Sequence, residues 1–186
     1  FYKVLEKVID KLRGSGSRSV NTYYQPADVL FADSQTFIQA NKDNKWMLYI
    51  HLMEPHDPYF EHPVLKDPNA DVYSGVAYGR KENENPDPKD TEYIKDLYKQ
   101  EVEYMDIEIG RFLTWLKEQG LYDNTMIVVT SDHGEEFNEH GGFWHGTTLY
   151  NEVLHVPLII KPAKTDNVGK RVPWQVRTID IAPTIT

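Results

Sequence analysis

The sequence contains no cysteine in its 186 residues. This absence excludes disulfide bonds, thiolate metal ligands and cysteine nucleophiles. It does not indicate whether the protein lies in an oxidising or a reducing compartment. Long hydrophobic runs are also missing, since no apolar stretch approaches the roughly 20 residues that span a bilayer. Residues 1–11 have the apolar spacing of an amphipathic helix, so we expect this segment not to be a signal peptide. The chain begins without methionine, and we expect it to be part of a longer protein.

Basic residues are outnumbered by acidic ones, 20 to 29, which gives a formal net charge of −9. No basic stripe interleaved with aromatic side chains is present. A nucleic acid backbone would be repelled, so nucleic acid is not an expected partner. A small anionic substrate remains compatible with this charge, because a bound cation reverses the local field of an acidic protein.

The spacing of apolar residues predicts helices that alternate with strands. The clearest element is a helix over residues 91–119, which Gly120 ends. Shorter helices are predicted over residues 33–40 and 147–154, and buried strands over residues 46–53, 125–130 and 156–160. This order predicts an α/β protein with three layers, α/β/α, around a mostly parallel central sheet, in one partial domain over residues 1–186. Ligands of such folds bind beyond the carboxyl ends of the strands.

One such strand end carries the sequence SDHGE at residues 131–135. Asp132 and His133 are adjacent there, and both can turn toward one divalent cation because Gly134 lets the chain bend away. Ligation by oxygen and nitrogen suits Zn²⁺ or Mn²⁺, and it is less usual for Ca²⁺. The alternative is a turn in which Asp132 caps a helix and His133 is only solvated.

A second polar cluster, EPHDPY at residues 54–59, follows the strand predicted over residues 46–53. Its prolines fix the turn and hold His56 in one place. A histidine so placed can donate to an anionic oxygen or protonate a leaving group. Taken alone, the cluster is more often a structural turn.

The third cluster is EHGGFWHG at residues 139–146, followed by TTLY. Its paired glycines and aromatic residues predict a loop that presses its backbone against a ligand and ends at a helix N-terminus suited to anions. His145 is the residue that we place at the substrate, whereas His140 is equally compatible with the surface. Three further histidines are left out of the site. His51 lies inside a predicted strand, His62 in a loop, and His155 next to the start of a strand.

Together these clusters resemble a known family. The stretch TMIVVTSDHGEEFNEHGGFWHGTTLYNEVLHVP (residues 125–157) is similar to the C-terminal part of sulfatase-family catalytic domains, within the alkaline phosphatase superfamily. The similarity extends to MLYIHLMEPHDPYF (residues 47–60) and RTIDIAPTIT (residues 177–186). Motifs of this length in this order are specific for the superfamily and less specific for the reaction.

The resemblance implies a role for each matching position. Asp132 and His133 match the downstream half of the metal site. His56 and His145 match residues that contact the transferred sulfuryl or phosphoryl group. Glu135 matches a position that supports the metal shell or the turn.

The resemblance implies a metal-dependent hydrolase of sulfate esters that uses one or two divalent ions, with Ca²⁺, Mn²⁺, Zn²⁺ and Mg²⁺ as candidates. Its substrate would be a small anionic ester, with sulfated carbohydrates as one class. Many relatives are exported or membrane-anchored, which leaves the location of this protein open. Oligomeric state is likewise not indicated.

The upstream features of such domains are absent, namely a paired-Asp strand near Phe1 and a C/S-x-P-S-R nucleophile sequence. We therefore expect the N-terminal half of the same domain to complete the site and this chain to be inactive alone. Two alternatives remain. One is a phosphoryl-group enzyme, either a phosphonate or phosphodiester hydrolase or a phosphoethanolamine-type transferase. The other is a fragment that binds a metal or an anion without catalysis.

Overall fold

The computed structural model of the chain describes residues 25–81, 83–164 and 169–185. The helical piece predicted over residues 1–11 lies outside them. The chain forms two compact units, one ending at Trp115 and the other beginning at Leu116, so the boundary falls within one long helix. None of the helices in the described ranges combines the length and apolar character that crossing a bilayer requires.

The first unit contains helix α1 (Ala27–Asn41) and most of helix α2 (Thr91–Glu118). The Phe31 ring of α1 stacks on Phe112 of α2, with ring centroids 4.8 Å apart. Between the helices, strand β1 (Tyr59–Phe60) pairs antiparallel with strand β2 (Ala77–Tyr78), and 3-10 helices span Pro63–Leu65 and Pro88–Asp90. The core of this unit is rich in aromatic rings and includes Phe31, Tyr59, Phe60, Tyr73, Ile94, Leu97 and Tyr104.

The second unit is built on two antiparallel strand pairs. Their bounds are β3 (Ile127–Thr130), β4 (Glu136–Phe137), β5 (Phe143–Trp144) and β6 (Leu158–Lys161). β3 pairs with β6, with Thr130 opposite Leu158, and β4 pairs with β5. Helix α3 (Asn151–Leu154) precedes β6, and helix α4 (Ile181–Ile185) follows a 3-10 turn at Thr178–Asp180.

The predicted long helix and the strands predicted over residues 125–130 and 156–160 are confirmed. α2 ends one residue before the predicted end, and Gly120 follows it with a φ of 68°, a backbone conformation that favours glycine. β3 and β6 lie within two residues of the strands predicted over 125–130 and 156–160. These elements carry their own signals in the local sequence.

Other predicted elements differ from the structure. The strand over residues 46–53 is wrong, because these residues form no regular element and no described strand pairs with them. The helix over 147–154 is reduced to α3. All three described strand pairs are antiparallel, so the mostly parallel arrangement is not found in this part of the chain. The segment joining β3 to β6 holds a hairpin and a four-residue helix rather than the long crossover helix of a parallel pair.

Candidate active site

The turn after β3 is fixed by backbone hydrogen bonds to α3. The N–H of Gly134 donates to the carbonyl of Val153 at 2.7 Å, and the N–H of Glu135 donates to that of Glu152 at 3.0 Å. A β-carbon on residue 134 would overlap the Glu152 carbonyl oxygen, so only glycine fits this close approach. The SDHGE segment is therefore held rigidly at the strand end.

Asp132 and His133 are the residues of this turn that could hold a cation, through one oxygen and one nitrogen. His133 Nδ1 donates to the carbonyl of Gly134 at 2.8 Å, so its Nε2 keeps the lone pair in the neutral ring. That Nε2 lies 3.7 Å from Oδ1 of Asp132, whose side chain is 75% exposed. A histidine that binds a metal typically donates its other ring N–H to a carbonyl or carboxylate. The pair therefore fits a divalent metal ion.

The competing interpretation, in which Asp132 caps a helix, is wrong. Asp132 Oδ1 accepts the N–H of His133 at 3.0 Å, and the next regular element is strand β4 rather than a helix. Within the described residues of the second unit, no third His, Asp or Glu joins Asp132 and His133 as a ligand group.

His145 lies beside His133. The two imidazole rings stack with centroids 4.0 Å apart and an interplanar angle of 28°. His145 Nδ1 donates to the carboxylate of Glu135, at 3.1 and 3.3 Å from its two oxygens. The structure thus brings together three of the four predicted site residues, Asp132, His133 and His145, and it adds Glu135 as the partner of His145. The resemblance of the SDHGE motif indicated Glu135 as a residue that supports the metal shell or the turn. It did not indicate a contact with His145.

A cleft of about 360 Å³ opens beside the two stacked rings. Two imidazole rings line it, together with hydroxyl, glycine and apolar groups. The lining residues are His133, His145, Gly146, Thr147, Thr148, Leu149 and Val153. A small anionic group that accepts hydrogen bonds from imidazole is compatible with a cleft of this kind.

The hairpin β4–β5 forms a support for this cleft. The buried carboxylate of Glu136 accepts hydrogen bonds from the Gly142 N–H at 3.1 Å and from the Thr148 hydroxyl at 2.9 Å. It therefore ties the cleft wall to the hairpin. Sequence reasoning missed this residue, because a glutamate next to another glutamate carries no distinctive signal.

The contacts of His140 indicate a structural role for this residue. Its Nδ1 donates to Glu152 Oε1 at 2.5 Å, and its ring stacks on Tyr150 with centroids 3.7 Å apart. These contacts are sufficient to explain the position of His140, in agreement with its interpretation as a surface residue. The anion-binding helix start expected after residue 146 is not present, because α3 begins only at Asn151 and has four residues.

His56 belongs to the first unit. Its Nδ1 donates to the Asp57 carbonyl at 2.7 Å, and its backbone N–H donates to that of Met53 at 2.5 Å. Glu54, two residues before His56, is buried, and burial is the main cause that raises the pKa of its carboxyl above the ordinary value. Residues 54–58 form turns and bends, and the grouping of His56 with Asp132, His133 and His145 stays a prediction.

Comparison with known proteins now identifies the family. A family model described as Sulfatase matches residues 3–186. The chain belongs to the sulfatase family. It is 39% identical over 93 residues to an N-acetylglucosamine-6-O-sulfatase of Bacteroides thetaiotaomicron, a match that covers 50% of this chain and 16% of that protein.

Two solved structures resemble the fold of this sulfatase-family chain. A phosphonate monoester hydrolase from Silicibacter pomeroyi matches with a TM-score of 0.54 and 23% identity, over 74% of this chain and 34% of that one. The structure of BT4656 in complex with its substrate D-glucosamine-2-N,6-O-disulfate matches with a TM-score of 0.50 and 20% identity, over 74% and 43%. The fold is therefore the α/β fold of the alkaline phosphatase superfamily, as predicted. Membership of the sulfatase family implies dependence on a divalent metal ion.

Proposed function

We propose that this chain supplies part of the active site of a metal-dependent hydrolase of sulfate esters. The observation that carries the proposal is the stacking of His133 on His145 in the lining of one cleft, with Asp132 beside His133. The chain spans less than half the length of the relatives described above. In this proposal the activity belongs to a larger catalytic domain to which residues 1–186 contribute one part.

Asp132 and His133 would hold the divalent ion, through a carboxylate oxygen and Nε2. Bound there, the ion would act as a Lewis acid and offset negative charge on the ester oxygens. The candidates remain Ca²⁺, Mn²⁺, Zn²⁺ and Mg²⁺, as one ion or two. The mixed oxygen and nitrogen donors favour Zn²⁺ or Mn²⁺.

His145 and His56 would contact the sulfuryl group or the leaving oxygen. His145 lines the cleft, and its side chain is only 17% exposed, so a hydrogen bond from this ring would act in a poorly hydrated site. Either histidine can protonate the leaving alcohol as a general acid. The nucleophile would come from outside these residues.

The proposed substrate is a sulfated carbohydrate. Support comes from the identity to the N-acetylglucosamine-6-O-sulfatase over half of this chain. The hydroxyl-bearing wall around Thr147 is compatible with a sugar ring, whose polar groups need hydrogen-bond partners when they are desolvated.

The proposal is tested on the full-length protein with 4-nitrophenyl sulfate, glucosamine 6-sulfate, and phosphate mono- and diesters. We expect turnover of the sulfates, and a loss of about 100-fold or more in kcat for His145→Ala and Asp132→Ala. His155→Ala is the matched control, because His155 is exposed and lies outside the cleft lining. Wild-type turnover in the two site variants would remove the proposal, and turnover of phosphate esters alone would replace it with the phosphoryl-group alternative.

A further inference from the structure

Glu135 and His145 form a shielded carboxylate–imidazole pair. Both carboxylate oxygens lie within hydrogen-bond distance of His145 Nδ1, and the side chains are 5% and 17% exposed. An ionised carboxylate only accepts hydrogen bonds, so Nδ1 carries the shared hydrogen. The nitrogen through which His145 can meet a substrate is therefore Nε2.

Stacking alone would not define this orientation. The rings of His133 and His145 are nearly parallel, and rotation of the His145 ring by half a turn about χ2 would preserve that stack. It would, however, exchange the places of the nitrogen and carbon atoms on the two sides of the ring. A directional hydrogen bond from Nδ1 distinguishes the two orientations, and Glu135 provides its acceptor.

Glu135 is itself held in place. Its backbone N–H donates to the Glu152 carbonyl, and the N–H of Gly134 donates to that of Val153. The backbone that carries this carboxylate is thus held in the segment that also presents His133. The same turn therefore carries His133 and the acceptor of the hydrogen bond from His145.

We propose that Glu135 is a positioning residue that fixes the ring of His145 so that Nε2 alone meets the ester group. The inference rests on the proposed function only in taking His145 as a substrate contact. Removal of the acceptor would let the ring adopt both orientations and would leave Nδ1 without its partner. Loss of a carboxylate that orients a functional imidazole reduces affinity or activity by about 10- to 100-fold in metal sites.

The test compares Glu135→Leu, which removes the acceptor, with Glu135→Gln, which keeps an amide oxygen that can accept from Nδ1. Both are made in the full-length, metal-loaded protein and assayed with 4-nitrophenyl sulfate. We expect kcat to fall about tenfold or more in the leucine variant and to recover substantially in the glutamine variant. Protein labelled with ¹⁵N-histidine gives a second readout, since NMR distinguishes a ring protonated at Nδ1 from one protonated at Nε2.

Glu136→Gln is the matched control, because Glu136 is the neighbouring buried carboxylate and its hydrogen bonds go to Gly142 and Thr148. We expect the His145 signals to keep their Nδ1-protonated form in this variant and to lose it in Glu135→Leu. Unchanged signals and kcat in Glu135→Leu would overturn the inference, as would equal losses in both Glu135 variants or altered His145 signals in the control. Full activity of His145→Ala would instead overturn the proposed function. The NMR result would not depend on that outcome, because it reports only which ring nitrogen of His145 is protonated.

Discussion

The carboxylate of Glu54 accepts a hydrogen bond from the backbone N–H of Ala27 at 3.0 Å, across 27 residues of sequence. Ala27 is the first residue of α1, and Pro26 before it provides no side-chain cap. The same Glu54 oxygen accepts the hydroxyl hydrogen of Tyr73 at 3.0 Å. The first residue of the EPHDPY cluster therefore serves as the cap of a helix that is distant in sequence.

Glu54→Ala should lower the free energy of unfolding by about 2–3 kcal/mol, because it leaves two buried donors without an acceptor. The measurement is urea denaturation of the 186-residue chain. Glu54→Gln is the control, since its amide oxygen can accept the same hydrogen bonds, and its loss should be smaller. Equal losses would show that this cap contributes little.

The pH dependence of Glu54 follows from the direction of its pKa shift. Burial raises the pKa of this carboxyl above its ordinary value of 4.5, so near that pH the folded state binds more protons than the unfolded state. Its contribution to stability is therefore complete below the unfolded pKa and is lost as the pH rises through the folded pKa. We expect the stability of Glu54→Gln relative to wild type to increase as the pH is raised above 4.5, in denaturation series at several pH values. A relative stability that falls with pH would contradict the assigned shift.

Gly134→Ala should disrupt the turn that presents His133. The added β-carbon would overlap the Glu152 carbonyl oxygen, and both groups belong to hydrogen-bonded backbone. We expect a loss of about 2 kcal/mol or more in thermal denaturation, typical of forced backbone displacement. Gly110→Ala in α2 is the control, because nothing lies within 4 Å of its added carbon, and it should stabilise by about 0.5–1 kcal/mol.

The fully buried His62 and Glu101 should be coupled. His62 Nδ1 donates to the Val72 carbonyl at 2.9 Å, and its Nε2 lies 3.3 Å from Glu101 Oε2. Burial raises the pKa of the Glu101 carboxyl, while the nearby His62 lowers it. We expect His62→Phe to cost about 3 kcal/mol in urea denaturation, because it leaves a buried acid without its partner.

Adding Glu101→Gln to His62→Phe should restore part of that stability, since a neutral amide is buried at lower cost and can still accept the Phe60 N–H. A double-mutant cycle measures the coupling between the two positions. Additive losses would show that His62 and Glu101 act independently.

Metal binding by the 186-residue chain alone should be weak. Asp132 and His133 give two protein ligands, whereas catalytic zinc sites typically have about three. We expect a Kd for Zn²⁺ weaker than about 1 μM by calorimetry, equivalent to less than about 8 kcal/mol of binding free energy. Asp132→Ala controls for binding elsewhere, including the group of Glu136, His140 and Glu152, whose possible ligand atoms lie within 4.8 Å of one another. Tighter binding that Asp132→Ala abolishes would show that the chain forms a fuller site.

The sequence predicted those elements whose determinants are local. The apolar stripe and Gly120 define α2, and the apolar runs define β3 and β6. The start of α1 was placed at Asp33 instead of Ala27, because its cap comes from Glu54. Residues 46–53 have strand composition, but a strand also needs a partner, which composition does not specify.

The contacts of the candidate site also divide into those that the local sequence determines and those that depend on the fold. Asp132 and His133 are adjacent in sequence, so their pairing was accessible from the motif. The stack of His133 on His145 depends on the hairpin that brings the β5 end back to the β3 end. The contact between Glu135 and His145 could not be predicted, because SDHGE gives no direction for the glutamate side chain.

Glu136 has a consequence for how specificity can diverge. The turn that presents His133 is held by the backbone N–H groups of Gly134 and Glu135, which do not depend on the side chain of Glu136. The Thr148 side depends on one carboxylate that reaches it across the hairpin. Substitution of Glu136 would therefore change the Thr148 side of the cleft while the turn that presents His133 keeps its geometry, which would let one scaffold diversify in the ligands that its cleft accepts.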